Sequence, residues 1–213
     1  VTQFNQYLLR NYNFSEWGSP TAPSVWQQTA VVATTLSRLR EHDPKTDPKR
    51  AVFTRGPYVF DGGSSLRATM TAAHAAGDFV LRQGNATAAG VAVQPLDLIA
   101  IAFALRCSVN GNLARGRVIG LLGTTDTLFL EPVGNADAIA LNYNQMGQRF
   151  TWNTTARDIA FTMHDGWQVF GVVAEVPMGI DSVSVRIGSG SAGAQVMDIG
   201  AVHFRELERK KVT

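Results

Sequence analysis

Three sets of residues have types and spacings that could do chemistry. Gly188-Ser189-Gly190-Ser191-Ala192-Gly193 has the G-x-G-x-x-G spacing with which a strand-to-helix turn holds a dinucleotide pyrophosphate on helix N-terminal amides. Its flanks decide the matter. Upstream, Val183, Val185 and Ile187 alternate with polar residues as in a half-buried strand. Downstream, residues 195–204 are rich in β-branched types and carry no 3.6-residue stripe. With no helix to supply the amides, the stretch reads as the loop of a β-hairpin and not as a nucleotide site. The second set is Glu131, Asp137, Asp158 and Asp165, from which a pair for glycoside hydrolysis could be drawn. That chemistry needs two carboxyl groups roughly 5 to 9 Å apart, a distance sequence spacing does not supply. The third is Trp152, within the polar run RFTWNTT, together with Tyr143. An exposed aromatic face against sugar C–H groups would make a glycan platform.

Nothing else assembles into a catalytic set. His42, His74, His164 and His203 are scattered without metal-ligand spacing, and there is no G-x-S-x-G elbow. The single cysteine, Cys107, excludes an intrachain disulfide. It ends an apolar strand and reads as a buried small hydrophobe rather than a nucleophile. No enzyme is expected, and no required cofactor. The sequons at Asn13, Asn85 and Asn153 read as accidental.

The elements that must position these residues are strands. The chain has 213 residues, 45% of them hydrophobic, with only 17% charged against about 25% in an ordinary soluble domain, and 20 glycines. From about residue 50, short β-like runs such as SSLRATMTA, LIAIAFALR, GRVIGLL and SVSVRI recur between turn signals at the spacing of a sandwich or barrel. Asp61-Gly62-Gly63, Asn110-Gly111 and Asp165-Gly166 suit tight hairpins. Ile99 to Leu105 reads as a central strand with both faces covered, whereas Ala30 to Leu39 is ambiguous between helix and strand.

The formal net charge is +2, with basic residues gathered at Arg38 to Arg55 and Arg205 to Lys211. Further along, Asp126, Glu131, Asp137, Asp158, Asp165, Glu175, Asp181 and Asp198 outnumber Arg149, Arg157 and Arg186, which argues against a general nucleic-acid binder. The basic stretch Arg38 to Arg55 reads as a solvated loop, with an electrostatic dock on an acidic neighbour as the alternative. No apolar run is long enough to span a bilayer and no signal-peptide pattern is seen, so no membrane insertion is expected.

Both ends of the chain carry a resemblance. Asn11, Asn13, Phe14 and Trp17 are followed by Gly62, Gly63, Ser65 and Leu66. Trp167, Gln168 and Phe170 then lead to Val176-Pro177, and Asp198, Ile199, Gly200, Val202 and Phe204 close the series. In this order the motifs resemble the galactose-binding-like jelly rolls of the carbohydrate-binding-module type that recur in bacteriophage and prophage virion proteins. The resemblance implies an all-β, two-sheet antiparallel jelly-roll sandwich with an N-terminal arm or crossing segment at 1–16, the sandwich at 17–205 and a basic tail at 206–213. It also implies that Trp17, Trp26 and Trp167 pack the sandwich. Many carbohydrate-binding members of the class it resembles hold a structural calcium where the first segment meets the last strand, and the resemblance implies Glu16 and Asp198 as the candidate oxygen donors, with backbone carbonyls near Asn13 and Asp61 as helpers. Ser15 departs from the glutamate that relatives often place there. The stretch Glu131 to Trp152 departs from the family as an insertion, so ligand preference does not carry over.

On this resemblance the expected function is that of a non-enzymatic structural protein of a tailed-phage virion, assembled in the bacterial host cytoplasm. Its partners would be other capsid or tail proteins and copies of itself, with a trimer favoured. The alternative is a carbohydrate-binding module recognising a host-surface glycan, and a third reading is a glycoside hydrolase or lyase.

Overall fold

The computed structural model describes residues 14, 16–29, 33–39, 65–75, 79–84, 90–122, 125–129, 151–153, 158–163, 165 and 168–209, and among these there is no helix. The strands are β1 (Trp17–Ser19), β2 (Ala22–Pro23), β3 (Gln27–Gln28), β4 (Thr34–Leu39), β5 (Ser65–Met70), β6 (Phe79–Gln83), β7 (Val91–Ala92) and β8 (Asp97–Cys107). They continue as β9 (Leu113–Leu122), β10 (Thr125–Phe129), β11 (Thr151–Asn153), β12 (Asp158–Thr162), β13 (Gln168–Glu175), β14 (Ser182–Ser189) and β15 (Gln195–Arg209). No helix of the described residues is long and apolar enough to cross a membrane.

Among the described residues there are, beyond the small β1-β2 ribbon, two antiparallel sheets. One has five strands in the order β13-β8-β15-β5-β4. The other has eight, with the path β11-β12-β9-β14-β6-β3, β10 pairing with β9 and β7 with β14. The described residues form a core cluster between them. Leu36, Leu66, Ala68, Met70, Ile99, Leu105, Met197, Ile199, Val202 and Phe204 come from the five-stranded sheet, and Leu81, Ala114, Val183, Val185 and Ile187 from the other. The period-2 alternation explains the layering, since successive side chains of a strand point to opposite faces. In β5, Leu66, Ala68 and Met70 are buried while Arg67 and Thr69 are not. The last strand changes phase, with Met197 and Ile199 buried before a register shift and Val202 and Phe204 after it. The two residues in the shift, Gly200 and Ala201, form a bulge that returns the apolar set to the core.

The jelly-roll sandwich expected from the sequence is therefore present, and β8 is an interior strand as expected. The ambiguous stretch resolves at 34–39 as the edge strand β4, which buries Thr34 and Leu36 on one face. Three expectations need correction. The Gly/Ser stretch at 188–193 does not close a hairpin: β14 belongs to the eight-stranded sheet and β15 to the five-stranded one, so the loop crosses from one sheet to the other. Asn110-Gly111 does the same between β8 and β9, with Gly111 at φ 89° as its type requires. Finally, β15 runs to Arg209, with Glu206, Glu208 and Arg209 paired to Ile99, Leu98 and Asp97, so residues 206–209 belong to the last strand and not to a tail.

The crossing segment is anchored by Phe14. It is fully buried, its ring lies 5.5 Å from that of Trp26 at 40°, and its carbonyl accepts a hydrogen bond from Trp17 Nε1 at 2.6 Å. Trp26 is buried and Trp17 packs against the core, as the resemblance implied. Asn11, Asn13, Trp167 and residues 1–13 of the expected arm lie outside the described residues.

Candidate functional site

The sandwich offers three groupings of polar side chains. The first is on the outward face of the five-stranded sheet, where the register aligns Ser37, Arg67, Asp198 and Arg106 across four neighbouring strands. Asp198 is almost fully buried. Its Oδ1 accepts from Arg67 Nε at 2.8 Å, and its Oδ2 accepts from Arg67 Nη2 at 2.9 Å and Arg106 Nε at 2.8 Å. The bidentate Arg67 contact raises that guanidinium's pKa above its ordinary value, through the hydrogen bond first and against the desolvation of burial.

It also tests the calcium expectation. Calcium needs several unprotonated oxygens converging on one point. Both oxygens of Asp198 instead face guanidinium donors, whose positive charge repels a divalent cation, and the described residues hold no cluster of three or more candidate metal-ligating side chains. Glu16 precedes β1 with an exposed side chain, its carbonyl accepting from the Ser24 amide at 2.9 Å. The described donors thus do not fit calcium, and Asp198 acts as an ion-pair hub. Asp61 and Asn13 lie outside the described residues.

The second grouping sits where the crossovers meet. Cys107 Sγ donates to Gln195 Oε1 at 3.4 Å, Asn112 Nδ2 donates to the same oxygen at 3.0 Å, and Gln195 Nε2 donates to the Ser191 carbonyl at 2.8 Å. Burial pushes the Cys107 thiol up from its ordinary value. A protonated, buried thiol is a poor nucleophile, which agrees with the structural reading of this cysteine. His74, also buried, lends its carbonyl to the Gly193 amide at 3.0 Å and so ties the 188–193 loop down.

The third grouping faces outward. On the eight-stranded sheet the register aligns Gln27 of β3, Arg82 of β6, Arg186 of β14 and Arg117 of β9. Val185 and Ile187, on either side of Arg186, point into the core, so Arg186 occupies the outward face. Arg82 Nε donates to Gln27 Oε1 at 3.2 Å, which places these two on one face as well. Arg186 Nε reaches Ser184 Oγ at 3.4 Å, and that hydroxyl donates to the Gly84 carbonyl at 2.6 Å. Arg115, opposite Gly188, adds a further guanidinium on the next outward position. Gln27, Arg82, Arg115 and Arg186 are all half-buried, so their stems are packed while their heads reach the surface. Such a row presents planar, multi-donor groups in a line, the geometry that hydroxyl- and carboxylate-bearing ligands accept.

Sequence reading did not single out this row. The outward parity of Arg186 in SVSVRI is visible in the alternation, but FVLRQ opens with three consecutive apolar residues and shows none for Arg82, and the alignment of the two depends on pairing between distant strands. Trp152 lies in β11, paired with Ile159, and the register continues through Gly116 to Ile187 and Leu81, both buried. It therefore stands in a different row from the arginines. Tyr143, Glu131 and Asp137 lie outside the described residues. Asp158 opens β12, and Asp165 is exposed with its amide donating to Asn110 Oδ1 at 2.8 Å.

Neither a protein-family model nor a curated protein sequence matches the chain. Solved structures do. The first xylan-binding domain (CBM22-1) of Xyn10C from Paenibacillus barcinonensis superposes with a TM-score of 0.56 at 12% identity, covering 99% of both chains. A Bacteroides thetaiotaomicron protein described as sugar-binding gives a TM-score of 0.54 at 12% identity, over 93% of this chain and 99% of that one. The enzymatically active domain of tailspike protein 4 of bacteriophage CBA120 gives 0.50 at 13% identity, over 93% of this chain but 21% of that one. At these identities the likeness is one of fold, and it bears out the jelly-roll resemblance seen in the sequence.

Proposed function

We propose that this protein is a non-catalytic carbohydrate-binding module and that the outward face of its eight-stranded sheet receives the glycan. The observation that carries the reading is the fold likeness over the whole length of both chains to a domain that binds xylan. A second full-length neighbour described as sugar-binding supports it. The face itself contributes Gln27, Arg82, Arg115 and Arg186, whose fixed donor forks suit the hydroxyl pairs and ring oxygens of sugars. This was the alternative reading from the sequence, and it now stands ahead of the virion structural role.

The test is titration calorimetry against a panel of soluble neutral and acidic polysaccharides. Saturable binding to at least one, weakened by Arg186→Gln at unchanged Tm, supports the module. No binding to any of them removes it. Trp152→Ala belongs in the same series: lost binding at unchanged Tm would make Trp152 a sugar platform, whereas a lowered Tm with binding retained would make it a packing residue.

A second reading places such a module on a tailed-phage virion, as a capsid- or tail-attached protein that associates as a trimer. The tailspike domain among the fold neighbours favours it. Light scattering on the purified chain tests it, a stable trimer supporting attachment to a symmetric site and a monomer at all accessible concentrations counting against it.

A further inference from the structure

We infer that Asn110-Gly111 is a spontaneous modification site: opening of the crossing from β8 to β9 lets Asn110 convert through a cyclic imide into aspartate and isoaspartate, while the closed fold holds it as asparagine. The pair is the sole Asn-Gly sequence in the chain. Glycine matters there because its amide nitrogen, with no side chain beside it, is the nucleophile of the reaction. That nitrogen attacks the side-chain Cγ of Asn110, a new N–C bond forms, and the amide proton leaves with the side-chain amine as ammonia. Water then opens the ring at either carbonyl. Cleavage at the side-chain carbonyl gives aspartate, and cleavage at the main-chain carbonyl gives isoaspartate, with the main chain rerouted through the side chain. Water is the only other reactant.

Both residues are exposed, so base and water reach them and burial gives no protection. Hydrogen bonding does. The Gly111 amide donates to the Met163 carbonyl at 2.9 Å, and Asn110 Oδ1 accepts from the Asp165 amide at 2.8 Å. Nucleophile and electrophile are therefore both held by the chain just after β12. That contact is itself braced, since the Met163 amide donates to the Asn112 carbonyl at 2.7 Å and Asn112 Nδ2 donates to Gln195 Oε1 at 3.0 Å. For the ring to close, the Gly111 amide must leave Met163 and the Asn110 side chain must leave Asp165. The reaction thus proceeds from a locally opened crossing, at a rate set by the population of that state. The two products differ in what they allow afterwards. Aspartate restores the same main chain and keeps an acceptor oxygen for the Asp165 amide. Isoaspartate adds a methylene to the main chain directly before Gly111, whose φ of 89° sets the turn, and so moves its amide away from Met163. The crossing joins the five-stranded sheet to the eight-stranded one, so an opened molecule that reacts in this way closes on a looser connection between the sheets.

The experiment incubates the folded chain, and the chain unfolded in guanidinium chloride, at mildly alkaline pH. Peptide mapping by mass spectrometry follows residue 110 and separates its asparaginyl, aspartyl and isoaspartyl forms. In the unfolded chain Asn110 should convert ahead of every other asparagine, and in the folded chain at least about tenfold more slowly. As guanidinium is raised toward the unfolding midpoint, conversion in the folded chain should keep step with hydrogen exchange of the Gly111 amide. Asp165→Pro removes the amide that holds Asn110 Oδ1, and should speed conversion in the folded chain about threefold to tenfold, the range for losing one hydrogen bond. A melting curve checks that this variant folds, and should it not, the comparison with hydrogen exchange decides. Asn110→Asp should melt close to the parent, and the purified isoaspartyl product below it. Equal rates in the folded and unfolded chains would overturn the protection by the fold. Another asparagine converting first in the unfolded chain would overturn the site. A folded Asp165→Pro that converts no faster than the parent would overturn the tether on Asn110, and an isoaspartyl product that melts with the parent would overturn the loosened crossing.

Discussion

At the scale of single residues, the chemistry of this chain is set by what each polar group meets on its own face. Asp198 meets two guanidinium groups, and removing it leaves them facing each other. Asp198→Ala is expected to destabilise the protein by about 1.5 to 3 kcal/mol, the range for hydrogen bonds to charged groups, with the Arg67 share reduced by its solvent exposure. Urea unfolding measures it, and a change below about 0.5 kcal/mol would remove the ion-pair hub. If Asp198 is such a hub and not a calcium ligand, any calcium-dependent rise in Tm shown by the parent protein should persist in Asp198→Asn. Cys107 gives a prediction in pH. Its folded pKa is raised by burial, so the folded state holds the thiol proton more tightly than the unfolded chain does. The resulting stabilisation is complete below the unfolded thiol pKa of about 8.5 and is lost as pH rises through the folded value. Between pH 7 and 10 the native protein should therefore lose more stability than Cys107→Ala does. Labelling by a disulfide reagent at pH 8 should be slow in the folded state and fast in urea.

At the scale of elements, glycines show where strands must approach closely. Gly84 lies at φ 85°, and a Cβ there would stand 2.8 Å from the Gly90 Cα and 3.1 Å from the Val183 carbonyl oxygen. Backbone atoms cannot give way, so Gly84→Ala adds a steric cost to the roughly 1 to 2 kcal/mol of a left-handed non-glycine residue. Gly111 has the same backbone, at φ 89°, but a Cβ added there would meet nothing within 4 Å, so Gly111→Ala should cost only the conformational part. Thermal melts of the pair should rank Gly84→Ala well below Gly111→Ala, and equal Tm values would refute the close approach. The strands themselves were legible: SSLRATMTA, LIAIAFALR and SVSVRI alternate with period 2 and form β5, β8 and β14, and the short apolar run in DFVLRQ forms β6. Which sheet each strand joins was not legible. Alternation fixes which side chains point inward but is silent on the partner, so two loops of good hairpin composition, at 110–111 and 188–193, proved to be crossings between sheets. The arginine row escaped notice for the same reason, because Gln27, Arg82, Arg117 and Arg186 become neighbours only through register.

At the scale of the whole molecule, the order of strands makes the two sheets depend on one another. The last two strands do not add to the edges of finished sheets. β14 inserts between β9 and β6, and β15 between β8 and β5, so each sheet is joined through its middle by the final part of the chain. Contacts of such long sequence separation delay folding, because loop-closure entropy is lost before pairing compensates it. They also make the two sheets interdependent, since the core residues Met197, Ile199, Val202 and Phe204 of β15 pack in the same cluster as Val183, Val185 and Ile187 of β14. A chain ending at residue 194 would leave the facing edges of β5 and β8 unpaired and the core without those four side chains. Open strand edges of this kind invite association with other copies. The expected outcome is a truncated chain without a cooperative melt, prone to aggregate and unable to bind any glycan, although every residue of the arginine row is retained. Phe204→Ala, by contrast, should keep one transition, shifted by about 3 to 5 kcal/mol, with near-ultraviolet dichroism and tryptophan fluorescence changing together. If the chain ending at 194 melted cooperatively and still bound polysaccharide, the eight-stranded sheet would be an independent unit and the closing role of β15 would be refuted.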